Sequence, residues 1–150
     1  MRKVFFAGSF NPFTKGHADI LKRLLALFDR VTVGIGCNIE KPDSTDRASE
    51  NASRIEDWVR GEGLSDRVDV VTYAGLTAEE ARRHGCLCLA RGARPADFEY
   101  EWSLAALNRD AFGIDTLILP ADPSAAFVSS SAIRDLKAHG RGDLAKKYEI

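Results

Sequence analysis

Five short apolar runs, set apart by longer stretches of helical character, most limit what this chain can fold into. Residues 4–7, 31–35, 68–73, 86–90 and 116–119 are compact and rich in aliphatic residues, the composition of strands buried on both faces. Between them the apolar spacing changes to three and four. Ile20, Leu21, Leu24, Leu25, Leu27 and Phe28 put a helix over 17–28. Ile55, Trp58 and Val59 indicate a second helix, stopping near Gly61 and Gly63 after a polar segment over 38–51. Thr77-Ala78-Glu79-Glu80 reads as a capping box that opens a short helix, and Gly85 supplies a left-handed stop. Further helices are predicted over 98–112 and 131–139, with a weaker one over 142–150. Parallel neighbours need long right-handed crossovers. The alternation therefore predicts an α/β fold: a Rossmann-like, doubly wound sheet of five parallel strands with helices on both faces. No repeat or linker interrupts residues 1–150, which read as one domain. Ligands of such sheets sit outside the strand C-terminal ends, where strand order reverses. The segments after the strands are where chemistry should lie.

Composition narrows the partners. Twenty-one Lys and Arg oppose 22 Asp and Glu, a formal net charge of −1, which argues against binding nucleic acid through bulk positive charge. No apolar run approaches the ~18 residues of a membrane span. The apolar stretch at the N-terminus stops at Gly8, too short for a signal-peptide core. Three cysteines, an odd number, argue against a disulfide framework and for the cytoplasm. Cys86 and Cys88 alternate inside a predicted strand and read as core, while Cys37 lacks an evident His or Asp partner. His84 and His139 fall at helix ends, where a contact with the dipole explains them. No residues stand out as ligands of a metal.

The polar residues collect after the strands. Gly8-Ser9-Phe10-Asn11-Pro12-Phe13-Thr14-Lys15-Gly16-His17 leads from the first strand directly into a helix. It places an imidazole in the first turn, where free N–H groups and the positive end of the dipole favour phosphate. A strand-to-helix loop with a capping histidine would explain the pair by itself. Gly8 and Gly16 are too far apart for a dinucleotide fingerprint, and no Gly-Lys-Ser/Thr follows as a Walker loop requires. Arg91-Gly92-Ala93-Arg94, after the fourth strand, can present two guanidinium forks to phosphate oxygens. After the fifth strand, Ser129-Ser130-Ser131 opens a helix and offers hydroxyls and N–H groups to an anion. Lys41, after the second strand, adds a cation to the same rim. A near-neutral chain that gathers these groups at one edge is suited to a polyanion.

The tetrad Thr14-Lys15-Gly16-His17, with R-G-A-R-P-A-D-F-E-Y-E over 91–101, Asn108-Arg109 and S-S-S-A-I-R over 129–134, resembles the bacterial phosphopantetheine adenylyltransferases. These belong to the nucleotidylyltransferase superfamily, with its T/H-x-G-H signature. The resemblance implies transfer of AMP from ATP to 4′-phosphopantetheine, giving dephospho-CoA and pyrophosphate, with Mg²⁺. It implies that His17 stabilises the transition state and contacts ATP. Ser9, where the family usually has Thr, would touch acceptor and nucleotide, with Phe10 alongside at the nucleotide. Lys41 and Arg91 would hold the acceptor's phosphate, and Thr77 would line the pantetheine channel. ATP would be bound further by Gly92, Ala93, Arg94, Glu101, Ala125, Ala126, Phe127, Val128, Ser129, Ser130 and Ser131. A homohexamer built as a dimer of trimers is implied, with CoA as a feedback ligand. Exposed aromatics such as Tyr100 and Trp102 would serve a subunit contact or pack into the domain's own core.

The sequence departs from the family at several points. Asn11 stands where Asp is common, and one residue fewer separates Arg94 from Asp97. Ala125-Ala126 replaces an aromatic–serine pair. The chemistry agrees with the resemblance nonetheless. A phosphate attacking a phosphoryl group needs no strong base, only cations and N–H donors that offset repulsion and hold the attacker in line. Two other functions share these features. One is nicotinate or nicotinamide mononucleotide adenylyl transfer, whose enzymes usually carry His where Thr14 stands. The other is a non-catalytic nucleotide sensor, which need not keep His17.

Overall fold

The first apolar run becomes the centre of the sheet. The computed structural model describes residues 1–150, in which β1 (Lys3–Gly8) pairs with both β2 (Arg30–Gly36) and β4 (Cys88–Ala93). With β3 (Val68–Tyr73) and β5 (Thr116–Pro120) the order is β3-β2-β1-β4-β5, and all four pairings are parallel. Strand order reverses between β1 and β4. Helices α1 (Lys15–Leu27), α2 (Ser44–Gly61), α3 (Thr77–Arg83), α4 (Phe98–Phe112), α5 (Ser130–Ala138) and α6 (Gly142–Ala145) complete the chain, with a 3₁₀ turn over Pro95–Asp97. The predicted doubly wound fold is the observed one. No helix is long and apolar enough to cross a membrane.

Alternation along β1 divides the core. Val4 and Phe6 face a large cluster with Leu21, Leu24, Ile55 and Val59 of α1 and α2. Phe5 and Ala7 face a smaller one with Ala78 and Ala81 of α3, Cys86, Leu89 and Ile114. Successive strand residues point to opposite faces, so a run apolar at every position has two apolar layers to fill. Cys86 is buried and Cys88 half-buried, both in packing roles, and all three thiols are free.

Several boundaries differ from expectation. Helix α2 begins at Ser44, inside the segment expected to be polar loop, because only Ala48, Asn51, Ile55 and Val59 of its face are buried. Strand β4 starts at Cys88 and runs through Arg91-Gly92-Ala93, so these residues belong to the strand. Thr77 does not cap α3: Leu76 is the N-cap, and the Thr77 hydroxyl meets that of Tyr73 at 2.9 Å. Gly85 does supply the expected left-handed turn, at φ +72°. The weak final helix shrinks to α6, and the last residues run back to α1, pairing Glu149 with Thr14.

Candidate active site

Where strand order reverses, the loop after β1 and the ends of β4 and β5 surround a cavity of about 430 Å³. Its wall includes Gly8, Ser9, Phe10, His17, Arg91 and Arg94, with the start of α5 opposite. Gly8 is required there, since a Cβ would lie 2.9 Å from the buried ring of Phe10. Phe10 takes a left-handed backbone, φ 47°, and packs edge-on against Phe6, Phe13 and His17.

His17 is held from several directions. Thr14 caps α1: its hydroxyl accepts from the His17 N–H at 3.2 Å, and its own N–H donates to Nδ1 of the imidazole at 3.0 Å. An Nδ1 that accepts must leave the ring proton on Nε2. Phe13 stacks on the ring, with centroids 5.5 Å apart. Burial, reinforced by the charges of Arg91 and Arg94, lowers the His17 pKa to about 4. At neutral pH this residue is therefore an uncharged donor.

The same cap consumes most of what the α1 N-terminus could offer an anion. The N–H of Lys15 is taken by the Tyr148 carbonyl and that of Ala18 by Thr14, leaving Gly16 alone. At α5 the balance is reversed. Ser129 caps the helix by accepting from Ala132, and the N–H groups of Ser130 and Ser131 have no protein acceptor. The Ser130 hydroxyl donates to the Pro12 carbonyl at 2.9 Å, tying α5 to the loop after β1. The plain N-cap thus accounts for Ser129 only.

Both arginines are already paired. Arg91 binds the buried Glu101 through Nε and Nη2, at 2.9 and 2.8 Å, and its Nη1 donates to the Ala7 carbonyl at 2.6 Å. Arg94 binds Asp97 through Nε and Nη2, which holds the Asp97 carboxyl below its ordinary range. The rim is therefore less positive than the sequence suggested.

Of the residues singled out in the sequence, Ser9, Phe10, His17, Arg91, Gly92, Arg94, Glu101, Ala125, Val128, Ser129, Ser130 and Ser131 line this cavity. Lys41 stands exposed in the loop between β2 and α2, outside the wall. Thr77 opens α3 against Tyr73, the last residue of β3, also outside it. Ala93 is buried behind the wall, and neither Ala126 nor Phe127 reaches it; Phe127 packs edge-on against Tyr148. Sequence reasoning missed the part played by Arg134, which lines the cavity and donates to the Asn11 carbonyl. Its signal was its place one turn into the serine-led helix.

A parallel sheet with this Thr-x-Gly-His turn and a serine-led helix facing one cavity defines a nucleotidyltransferase type of α/β domain. The family model of the cytidylyltransferase-like proteins matches residues 5–136. A phosphopantetheine adenylyltransferase of Porphyromonas gingivalis is 45% identical over 141 residues, covering 92% of this chain and 88% of that protein. One from Flavobacterium johnsoniae is 42% identical, covering 93% and 90%. The chain thus belongs to the cytidylyltransferase-like family, among the phosphopantetheine adenylyltransferases. In fold it is similar to a bifunctional NMN adenylyltransferase/ADP ribose pyrophosphatase of Francisella tularensis (TM-score 0.65, 19% identity), covering 93% of this chain and 42% of that longer one. A putative nicotinate-nucleotide adenylyltransferase of Vibrio parahaemolyticus has TM-score 0.57 at 17% identity, covering 94% and 90%. At such identities the likeness concerns the fold alone.

Proposed function

We propose that this chain transfers AMP from ATP to 4′-phosphopantetheine, releasing pyrophosphate and dephospho-CoA, by direct in-line attack. An acceptor phosphate oxygen bonds to the α-phosphorus while the bond from that phosphorus to the bridging oxygen of pyrophosphate breaks. The attacker is already ionised, so no base has to remove a proton. The carrying observation is the neutral His17, with Nε2–H available, beside a helix that has two uncommitted N–H groups.

His17 donates to a non-bridging α-phosphate oxygen as charge grows there, the role of a preorganised donor. Ser130 and Ser131 receive the departing phosphates with their N–H groups and the N-terminal field of α5, and Arg94 and Arg134 supply charge beside them. Ser9 and the outward N–H groups of Arg91 hold the acceptor phosphate. Thr77, beside Tyr73, lies on the side toward which the pantetheine arm extends. Lys41 adds charge at that side of the rim.

The carboxylates at the cavity do not suit a bound metal. Asp97 and Glu101 are each held by an arginine, and no group of three His, Cys, Asp or Glu side chains could hold a metal ion. Magnesium then arrives with ATP, as part of the substrate. We further propose a cytoplasmic homohexamer, a dimer of trimers that responds to CoA. The exposure of Phe98, Tyr100, Trp102 and Leu107 on α4 supports a subunit contact, since these side chains find no place in the chain's own core. A monomer in sedimentation at micromolar concentration would remove that part.

Pyrophosphate release from Mg-ATP tests the reaction, with phosphopantetheine, nicotinate mononucleotide or no acceptor in parallel. Turnover is expected with phosphopantetheine alone. Activity confined to the mononucleotide would move the chain to the other reaction, and ATP binding without turnover would make it a sensor.

A further inference from the structure

The face of the sheet that α3 covers carries a polar pair outside the nucleotide cavity. Tyr73 ends β3, and its hydroxyl meets that of Thr77, the first residue of α3, at 2.9 Å. Both residues are half-buried. The Tyr73 ring packs edge-on against the buried Phe5, with centroids 5.5 Å apart, which fixes the direction in which the phenol extends. Gly36 is its partner in the β2–β3 register, and a Cβ there would lie 3.5 Å from the phenol oxygen. The ring therefore lies over the end of β2. From the other side Arg91 of β4 reaches back to β1 and donates to the Ala7 carbonyl at 2.6 Å. The two side chains extend toward each other over Ala7 and Gly36, so nothing larger than a methyl group stands beneath them. The charge of Arg91 is felt at the phenol, but burial outweighs it and raises the Tyr73 pKa. The hydroxyl keeps its proton at neutral pH.

We infer that Tyr73 is a specificity-determining residue: its hydroxyl, steadied by Thr77, hydrogen-bonds an amide of the pantetheine arm while Arg91 holds the phosphate at the other end. This rests on the acceptor-binding role given to Arg91 above. A hydroxyl donates once and accepts twice, so one bond between Tyr73 and Thr77 leaves one O–H and several lone pairs for a ligand. An amide brings an N–H and a C=O, and the pair can meet either. Phenylalanine could pack on Phe5 in the same way but would offer the arm nothing. An acceptor with a phosphate and an apolar tail would strip water from both hydroxyls and return no bond, which discriminates against it.

The test uses the full chain with Mg²⁺. Titration calorimetry measures binding of 4′-phosphopantetheine and of a non-hydrolysable ATP analogue to the wild type, Tyr73→Phe, Thr77→Val, Arg91→Ala and the Tyr73→Phe/Arg91→Ala double variant. Tyr73→Phe is expected to weaken the acceptor about fivefold or more, the scale of one lost hydrogen bond, and to change the ATP analogue by less than about twofold. Thr77→Val lets the phenol turn away and should weaken the acceptor alone, by about two- to threefold; it carries the test if Tyr73→Phe does not fold. In the double variant the two losses should multiply, because the residues hold opposite ends of one ligand. Unchanged acceptor binding, or weakening of the ATP analogue to the same extent, would overturn the inference. So would a Tyr73 effect that vanishes without Arg91, because the phenol would then only steady the arginine. A wild type that binds no phosphopantetheine would overturn the functional reading beneath it instead.

Discussion

Two helix N-termini face the same cavity and are built in opposite ways. At α1 nearly every donor is spent inside the protein: Thr14 and the Tyr148 carbonyl take three of the four N–H groups, and aromatic rings enclose His17. At α5 the cap takes one N–H, Ile133 donates to the Ser129 carbonyl, and two N–H groups stay open. Ser131 is exposed, whereas Thr14 is buried. The first is a rigid seat for one directed donor, and the second is an open cradle of several donors. Chemistry in which charge grows at one phosphorus and departs on two others needs both, since precision matters at the first and capacity at the second.

The sharpest way to break this comparison is His17→Ala. If the α1 seat serves the transition state, kcat should fall about 10²-fold or more while the KM for ATP changes little, the pattern of a lost preorganised donor. A variant with near-full kcat would reduce the seat to a helix cap.

The second test is acidity. In the unfolded chain the imidazole titrates near 6.5, but in the fold near 4. Between those values the unfolded state carries the extra proton, so stability declines as pH falls from 6.5 and the loss levels off below 4. The full effect is roughly 3 kcal/mol. Urea denaturation at pH 7, 5 and 4 should show a steeper decline for wild type than for His17→Ala. Parallel declines would mean that the buried, neutral histidine is not what the cage of Phe10 and Phe13 creates.

The α5 cradle should respond more gently. Replacing Ser130 and Ser131 together with Ala leaves both N–H groups but removes the Ser131 hydroxyl from the cradle and the Ser130 tie to the Pro12 carbonyl that holds α5 against the loop after β1, so ATP binding should weaken by about 1–3 kcal/mol. Acceptor binding should hardly change, and titration calorimetry with each substrate checks both. Ser129→Ala is the mildest change: about 1 kcal/mol of stability lost with the cap, read from the melting temperature, and kinetics close to wild type. A larger loss of ATP affinity from Ser129 than from the Ser130/Ser131 pair would reverse the roles assigned within this helix.

How much of this was legible beforehand depended on the range of the interactions. The opening of α1 was readable because a cap, a turn and a strand end are set by residues within about ten positions of one another. Thr77 shows the limit of the same logic. Its capping-box pattern is locally sound, yet Tyr73 at the end of β3 captures the hydroxyl. The start of β4 slipped by two residues because Cys86-Leu87 looks like strand, while the ladder with β1 begins at Cys88. Arg91 and Arg94 read as free phosphate forks, since nothing in the spacing says that Glu101 and Asp97 will claim them. Periodicity, composition and the placement of the Gly-His and triple-serine segments determined the strands and helices, their parallel arrangement and the strand-end rim where the site lies, because these follow from the backbone's own repeat, whereas the strand order that puts the reversal between β1 and β4 came only with the structure. Only the tertiary structure decided the proton on His17, the partner of each arginine and which helix end keeps its donors. Each depends on groups from distant segments meeting in a small volume with little water, where one hydrogen bond taken is one no longer available to a ligand.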